Sequence, residues 1–248
     1  MPDPVIILDR VSKSFGAAVV LRDADLTVER GETLAILGAS GSGKSVTLKT
    51  INGLIPPDRG RVEVLGYQVS EMDESELAPL RRRVSYLFQG GALFDSMNVF
   101  ENVAFPIREH LTLAEPELAA RVRDLLGMVQ LPNVEHLVPS ELSGGMRKRV
   151  AVARALALEP EIILYDEPTT GLDPVTGRAI ARLILDLARR FGVTSVVVTH
   201  DIPLVVEVAE RVVFLEDGEF VFSGSVDEAR SRGPGMVREF FMAGGGDA

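Results

Sequence analysis

Residues 38–45 have a spacing that can bind phosphate. The segment reads GASGSGKS and fits the pattern G-x-x-x-x-G-K-S/T. It lies between a strand-like run, Thr33 to Gly38, and a helical pattern, Lys44 to Leu54. In that setting backbone N–H groups point at phosphate oxygens, Lys44 reaches the β- and γ-phosphates, and the Ser45 hydroxyl can ligate Mg²⁺. The expected phosphate-binding residues are Gly38, Ala39, Ser40, Gly41, Ser42, Gly43, Lys44, Ser45 and Val46, the last through its backbone N–H.

An acidic pair, Asp166 and Glu167, ends the apolar run EIILYDE. Ligands of open α/β sheets collect at the carboxyl ends of the strands, so this pair should lie beside the phosphate loop. There Asp166 would hold Mg²⁺ through its water shell, and Glu167 would act as general base on an attacking water. The alternative is an ordinary charged strand end, which the phosphate loop disfavours.

The elements that must position these groups alternate along the chain. The apolar runs EIILYDE and TSVVVTHD flank Pro174 to Arg190, where apolar residues repeat at helical spacing. Continuous apolar runs joined by a helix are typical of parallel strands buried on both faces. Residues 211–224 predict a β-hairpin that turns at Asp217-Gly218.

Residues 99–157 have no comparable strand pattern. They predict several helices, forming a lobe inserted into the α/β core. We expect these helices to be broken at four prolines, which are Pro106, Pro116, Pro132 and Pro139.

The composition disfavours several classes of protein. The chain has 248 residues, of which 46% are hydrophobic and 25% charged, as is typical of globular proteins. It has no cysteine, so a disulfide framework and Cys-ligated zinc are excluded. A net charge of −10 disfavours a nucleic-acid partner. The N-terminus does not resemble a signal peptide, and no apolar run approaches the roughly 20 residues of a membrane-spanning helix.

Residues 142–156, LSGGMRKRVAVARAL, resemble the signature motif of ATP-binding-cassette (ABC) ATPases. The other motifs of that family follow in order over residues 5–224. The resemblance implies that Phe15 stacks on adenine, Gln89 forms the Q-loop, Asp173 the D-loop, and His200 is the switch histidine at the γ-phosphate. It further implies ATP and Mg²⁺ as ligands. The implied catalytic residues are Glu167, His200, Gln89 and Lys44, and the implied metal site comprises Ser45, Gln89 and Asp166.

The same resemblance implies a fold and a division of the chain. The fold is the α/β P-loop NTPase fold of ABC ATPases, a RecA-like core with an N-terminal antiparallel β subdomain and an inserted helical subdomain. Residues 1–90 and 158–224 would form the core and β subdomain, 91–157 the helical subdomain with the signature motif, and 225–248 a C-terminal tail. The tail could end in an amphipathic helix containing Val237, Phe240, Phe241 and Met242, and residues 244–248 are expected to be disordered.

The family resemblance also implies a second copy of the chain. Two subunits would sandwich two ATP molecules, with Ser143, Gly144 and Gly145 of each touching the γ-phosphate bound by the other. The N–H groups and dipole at the start of a helix suit that anion. Ser143 can act as the N-cap of the same helix, and the two roles are compatible.

Residues 87–110, LFQGGALFDSMNVFENVAFPIREH, contain an apolar segment after Gln89. In transporter ATPases of the family this segment forms a groove for a short helix of the membrane permease. Leu93, Phe94, Met97, Val99 and Phe100 would supply apolar anchors. The alternative, open for Leu93 to Met97, is that they fill the lobe's own core; Val99 also has the helical spacing of core residues.

The sequence of that segment, together with LSGGM, resembles those of ATPases of the MCE (mammalian-cell-entry) or Mla type, which serve phospholipid transporters. That resemblance implies a bacterial transporter with an MCE-domain lipid-binding subunit. The ATPase would lie at the cytoplasmic face of the inner membrane, bound through the permease.

Other functions compete with lipid transport. An amino-acid or other solute importer and a soluble iron–sulfur assembly ATPase stay open. A scaffold that binds ATP without hydrolysing it is disfavoured because Lys44, Asp166, Glu167 and His200 are all present. A DNA-repair cassette is disfavoured because the chain has no cysteine for a zinc module and no long heptad run.

Overall fold

A computed structural model describes residues 3–244. The strands in this range are β1 (Pro4–Phe15), β2 (Ala18–Glu29), β3 (Thr33–Leu37), β4 (Arg59–Val64), β5 (Tyr67–Gln68), β6 (Val84–Leu87), β7 (Ile162–Asp166), β8 (Thr194–Val198), β9 (Arg211–Glu216) and β10 (Glu219–Gly224). The helices are α1 (Lys44–Ile51), α2 (Glu74–Arg83), α3 (Val99–His110), α4 (Glu115–Met128), α5 (Gly144–Leu156), α6 (Pro174–Phe191), α7 (Ile202–Val208), α8 (Val226–Arg232) and α9 (Gly235–Gly244).

An antiparallel sheet with the strand order β2-β1-β4-β5 lies at the N-terminal part of the chain. Apolar residues of β1 such as Ile6, Leu8 and Val11 are buried, whereas Asp9 and Arg10 are exposed. The tight turn between β1 and β2 leaves Phe15, the last residue of β1, 49% exposed. This sheet therefore presents an aromatic side chain at its edge.

A second, six-stranded sheet has the order β10-β9-β3-β8-β7-β6. Strands β6, β7, β8, β3 and β9 are parallel to one another, and β10 closes the sheet as the antiparallel partner of β9. All five residues of β3, β7 and β8 are buried, as expected for parallel strands covered on both faces. The predicted alternation of strands and helices and the predicted hairpin are confirmed.

The parallel arrangement positions the chemistry. The phosphate loop follows β3, Gln89 follows β6, Glu167 follows β7 and His200 follows β8. Because parallel strands end at one edge of the sheet, these segments converge at its carboxyl edge.

Helices α3, α4 and α5 lie between β6 and β7 and pack together through residues such as Val103, Ile107 and Val150. The prediction that Pro106 breaks a helix is wrong, because α3 continues through it to His110. A proline inside a helix costs about 3 kcal/mol, and burial of Val103 and Ile107 on the same helix offsets this cost. The other three prolines lie at element boundaries: Pro116 in the first turn of α4, Pro132 in a loop, and Pro139 at the start of a short 3₁₀ turn.

The C-terminal segment forms α8 and α9, and α9 packs on its own chain. Val237 and Phe241 are buried, and the Phe240 ring meets Phe214 of β9 edge-on at 5.4 Å between centroids. Met242 is 74% exposed, so it lies off the buried face. Of the segment expected to be disordered, residues 245–248 lie outside the described range. No helix within residues 3–244 combines the length and the apolar composition that a membrane crossing requires.

Candidate nucleotide site

A cavity of about 700 Å³ opens at the carboxyl edge of the parallel sheet. It brings together residues that are distant in the sequence, from the β1 end, the phosphate loop, the β6 end, and the ends of β7 and β8. Its lining residues are Phe15, Val20, Gly38, Ala39, Ser40, Gly41, Gly43, Lys44, Ser45, Val46, Gln89, Glu167, His200 and Phe240. Most of the residues expected to touch ATP within one chain therefore surround one space.

The backbone path of the phosphate loop depends on Gly43, at the start of α1. Gly43 is the N-cap residue of α1 and has φ +107°, a conformation that side chains rarely adopt. A Cβ there would lie 2.8 Å from the Val20 carbonyl oxygen, so the loop can approach β2 only with glycine. The N-terminus of α1 thus faces the cavity with free N–H groups, which suits an anion.

Lys44 is buried inside the curve of this loop. Its Nζ donates to the carbonyl oxygens of Gly38 at 2.9 Å and Ala39 at 2.8 Å. Burial lowers the pKa of Lys44, while the nearby carboxylates of Glu167 and Asp166 oppose that shift. Within the described residues the Lys44 ammonium bonds to these two carbonyl oxygens, and from this position it can also bind phosphate oxygens.

Ser42 supplies an independent sign that the loop binds a ligand. Its hydroxyl is buried and, among residues 3–244, has no hydrogen-bond partner. Buried hydroxyls in proteins are nearly always bonded. A phosphate oxygen in the curve of the loop would satisfy it, so the loop fits ATP.

Asp166 is buried at the end of β7 and accepts two hydrogen bonds. The Ser45 hydroxyl donates to Oδ1 at 2.7 Å, and the Tyr86 hydroxyl donates to Oδ2 at 2.8 Å. Burial raises the pKa of the Tyr86 phenol far above its usual range, and the negative charge of Asp166 adds to the shift. The phenol therefore stays protonated and remains a donor to Asp166.

The Ser45 hydroxyl and the Asp166 carboxylate are oxygen donors of the kind that Mg²⁺ prefers. Residues 3–244 contain no cluster of three His, Cys, Asp or Glu side chains that could hold a metal ion. Mg²⁺ bound by few protein groups and completed by phosphates and water is the usual arrangement at nucleotide sites, so these two residues fit it.

Glu167 lies next to Asp166 in an unusual backbone conformation. Its φ is +49°, in the left-handed region that is uncommon for residues other than glycine. Oε2 accepts from the Thr170 hydroxyl at 2.9 Å, and Oε1 lies 2.9 Å from Nδ1 of His200. The Glu167 side chain is 12% exposed and that of His200 63% exposed. The carboxylate is thus held at the cavity edge, with the imidazole on its solvent side.

Gln89 has an exposed side chain on the cavity wall. Its backbone carbonyl oxygen accepts a hydrogen bond from Lys148, a residue to which the sequence analysis gave no role. Lys148 of α5 is buried and its Nζ donates to the carbonyl oxygen of Gln89 and, at 3.2 Å, to that of Glu167. Arg154, six residues further along α5, donates to the carbonyl oxygens of Gly91 and Ala92. Helix α5 is therefore tied to the segments that carry two predicted catalytic residues.

Ser143, Gly144 and Gly145 do not line the cavity of their own chain. The Ser143 hydroxyl caps α5 by accepting from the Met146 N–H at 3.2 Å, which is the expected capping role. A Cβ on Gly145 would lie 2.3 Å from Cγ2 of Thr176, so only glycine fits against the start of α6. Asp173 caps α6, accepting from the N–H groups of Val175 and Thr176. The signature motif and the D-loop thus pack against each other, apart from the cavity.

A second, smaller cavity of about 460 Å³ lies where the segment after Gln89 meets α5. Its exposed aromatic residues are Phe88, Phe94 and Phe105, of which the sequence analysis named only Phe94. We call this cavity the aromatic groove. Its lining residues are Arg81, Arg82, Ser85, Tyr86, Phe88, Ala92, Phe94, Phe105, Pro106, His110, Ala151, Arg154, Ala155 and Leu158.

The other apolar anchors expected for this groove lie elsewhere. Val99 is 1% exposed in the core of the helical region, and Leu93 and Phe100 are half-buried against that core. Met97 is also half-buried and does not line the groove. Helical packing turned these side chains inward, and the groove instead uses Phe88 before Gln89 and Phe105 on α3.

The structure adds three residues to which the motifs assigned no role. Lys148 and Tyr86 bond to groups 59 and 80 residues away in the chain, so no local pattern reveals them. Phe240 of α9 reaches the cavity from the C-terminal segment. The apolar pattern of that segment was the one available signal for Phe240.

Comparisons with known proteins agree with this geometry. A family model described as ABC transporter matches residues 21–170. The intermembrane phospholipid transport system ATP-binding protein MlaF of Escherichia coli K12 is 44% identical over 230 residues, covering 93% of this chain and 86% of MlaF. The methionine import ATP-binding protein MetN of Campylobacter jejuni is 38% identical, covering 95% of this chain and 75% of MetN.

A solved structure extends the match to three dimensions. The dimeric ATP-binding cassette MJ0796, in a post-hydrolysis state bound to ADP and Pi, superposes with a TM-score of 0.83 at 35% identity. The match covers 89% of this chain and 98% of the MJ0796 chain. The expected fold, an ABC ATPase with an antiparallel and a parallel sheet, is confirmed. The chain belongs to the ABC transporter family and is an ATP-hydrolysing cassette of that family.

Proposed function

We propose that this cassette drives a bacterial transporter of phospholipids or related lipids. The observation that carries the proposal is the 44% identity to MlaF, a phospholipid transport protein, over 86% of MlaF's length. The aromatic groove supports it by providing a surface for a membrane subunit. ABC cassettes work with membrane permease subunits, and the proposed transporter would include such a subunit.

The proposed occupant of the aromatic groove is a short helix of the permease. Phe88, Phe94 and Phe105 offer apolar surface to its anchors, as in other helix-in-groove contacts. Arg82 and His110 at the rim favour a helix that carries an acidic side chain. The further proposed partner is an MCE-domain lipid-binding subunit, and the assembly would place the cassette at the cytoplasmic face of the inner membrane.

Within the chain, we assign the predicted residues to the steps of ATP hydrolysis. Phe15 would stack on adenine at the cavity edge, and the phosphate loop with Lys44 would bind the phosphates. Ser45, Asp166 and Gln89 would surround Mg²⁺, which when bound neutralises the phosphate charge. Glu167 would accept a proton from the attacking water, and His200 would orient that water at the γ-phosphate.

A second copy would complete the site. Ser143, Gly144 and Asp173 lie at the surface apart from the cavity, with Gly145 buried directly beside them, which supports the proposed use of this region against ATP held by the other subunit. The MJ0796 cassette is dimeric with ADP and Pi bound.

The proposed division of the chain is a core of residues 1–90 and 158–224, a helical subdomain of 91–157 and a tail of 225–248.

Import of a small solute is the second candidate, because MetN, a methionine import protein, is 38% identical over 75% of its length. Purification of the tagged full-length chain from native membranes, followed by identification of bound subunits and lipids, separates the two. An MCE-domain subunit with phospholipid supports lipid transport, whereas a solute importer's permease contradicts it. Recovery of iron–sulfur assembly proteins instead would contradict both.

A further inference from the structure

Tyr86 lies between the nucleotide site and the aromatic groove. It belongs to β6, whose end leads to Gln89. Its hydroxyl donates to Oδ2 of Asp166 at 2.8 Å, and its ring packs against that of Phe88, with 4.4 Å between centroids and an interplanar angle of 38°. Both rings line the aromatic groove, and Phe88 is 39% exposed there. One side chain therefore touches a proposed metal ligand and a proposed docking surface.

The two oxygens of Asp166 have separate partners. Oδ1 faces the Ser45 hydroxyl beside the phosphate loop, and Oδ2 is held from behind by Tyr86. A donor on one oxygen fixes the plane of the carboxylate and thereby the direction of the other oxygen. Such outer partners orient ligands and tune the affinity of a metal site.

We propose that Tyr86 is a positioning residue that couples the aromatic groove to the Mg²⁺ site. Its hydroxyl orients Asp166, and its ring transmits groove contacts to that hydroxyl through Phe88. This inference rests on the proposed function, namely on Asp166 binding Mg²⁺ and on the groove binding a partner.

The neighbouring strand provides a matched control. Tyr165 of β7 directly precedes Asp166, is 1% exposed, and its hydroxyl does not bond Asp166. Tyr86→Phe and Tyr165→Phe each remove one hydroxyl from a tyrosine in the same sheet, but only the first removes a contact to Asp166. Any general effect of losing a phenol is therefore common to both variants.

The first experiment measures binding of Mn²⁺, as a spectroscopic probe for Mg²⁺, to the full chain with a non-hydrolysable ATP analogue. We expect Tyr86→Phe to weaken Mn²⁺ binding about 10-fold, the low end for outer-shell partners, and Tyr165→Phe to change it less than twofold. Asp166→Asn should weaken binding at least as much as Tyr86→Phe. If Asp166→Asn weakens binding and Tyr86→Phe does not, the positioning role is wrong. If Asp166→Asn has no effect either, the proposed metal site fails and this inference with it.

The second experiment tests the link to the groove. Phe88→Ala removes the ring against which Tyr86 packs, and we expect Mn²⁺ binding about twofold weaker, the low end for loss of an aromatic pair. In the Tyr86→Phe background the same change should have no effect, because the coupling passes through the hydroxyl. Equal effects in both backgrounds, or no effect of Phe88→Ala alone, would contradict the coupling.

Discussion

Nδ1 of His200 lies 2.9 Å from Oε1 of Glu167, which joins the ends of two neighbouring parallel strands across the mouth of the cavity. Glu167 holds this contact from a left-handed backbone conformation, with its other carboxylate oxygen bonded to Thr170. Strained backbone at a polar site is typical of functional residues. The carboxylate is therefore oriented toward the cavity by its own chain before any ligand binds.

Lys44 provides the first prediction. Lys44→Met keeps the apolar stem but removes the ammonium, so the loop loses its charged contact to phosphate. We expect ATP affinity to fall at least ~10-fold, or about 1.4 kcal/mol, by titration calorimetry. Lys49→Met on the same helix is the control, because Lys49 does not line the cavity. Equal ATP affinities for the two variants would contradict the assigned role.

Lys148 provides the second prediction. Lys148→Met removes the ammonium that donates to the carbonyl oxygens of Gln89 and Glu167, and the Glu167 oxygen keeps the N–H of Thr170 at 3.3 Å. Glu167 is assigned to the attacking water and Gln89 to Mg²⁺, and neither is assigned to the adenine or the phosphate loop, so kcat should fall about 10-fold while KM for ATP changes less than about threefold.

The conservative variant separates positioning from folding for Lys148. Lys148→Arg retains a cationic donor, so we expect it to recover most of the lost kcat. A Lys148→Met enzyme with normal kcat would show that these hydrogen bonds do not position the site. A fall in the thermal midpoint that Lys148→Arg shares would instead indicate a purely structural role.

The aromatic groove provides the third prediction. Phe94 is 42% exposed, its ring 5.0 Å from that of Phe105, so Phe94→Glu should leave the thermal midpoint of the isolated chain within a few degrees. Permease binding should be lost, because a carboxylate would be buried in an apolar contact. Leu93→Glu is a poorer test, since Leu93 packs against the helical core.

Phe191→Glu is the matched control for Phe94→Glu. Phe191 is also exposed, at 53%, but ends α6 and does not line the groove. Co-purification of the permease with the Phe191 variant and not with the Phe94 variant is the expected result. Permease retained by Phe94→Glu would exclude this groove as the docking site.

Short sequence patterns predicted those parts of the structure that depend on interactions between residues close together in the chain. The run EIILYDE can be buried on both faces only as a central parallel strand, and that alone brings Asp166 to the carboxyl edge beside the phosphate loop. The pattern failed at Pro106, where packing of α3 outweighs the intrinsic cost of proline. For Val99 the sequence offered both a groove position and, by its helical spacing, a core position, and the residue is buried in the core.

The residues that sequence reasoning missed make long-range contacts. Lys148 bonds backbone oxygens, which every residue has, so the identity of its partners carries no sequence signal. In the sequence, Tyr86 has the pattern of an ordinary strand residue. Its contact with Asp166 arises because β6 pairs with β7. Such contacts follow from the strand order, which local periodicity does not determine.

Glu167 carries the central claim, that this cavity hydrolyses ATP with Glu167 as general base. Glu167→Gln keeps the shape of the side chain and removes its ability to accept a proton. ATP hydrolysis and subunit association should be measured together on the full chain with ATP and Mg²⁺. We predict that the variant binds ATP, loses at least ~100-fold in turnover and persists as a dimer. Turnover near that of the unaltered protein would contradict the account.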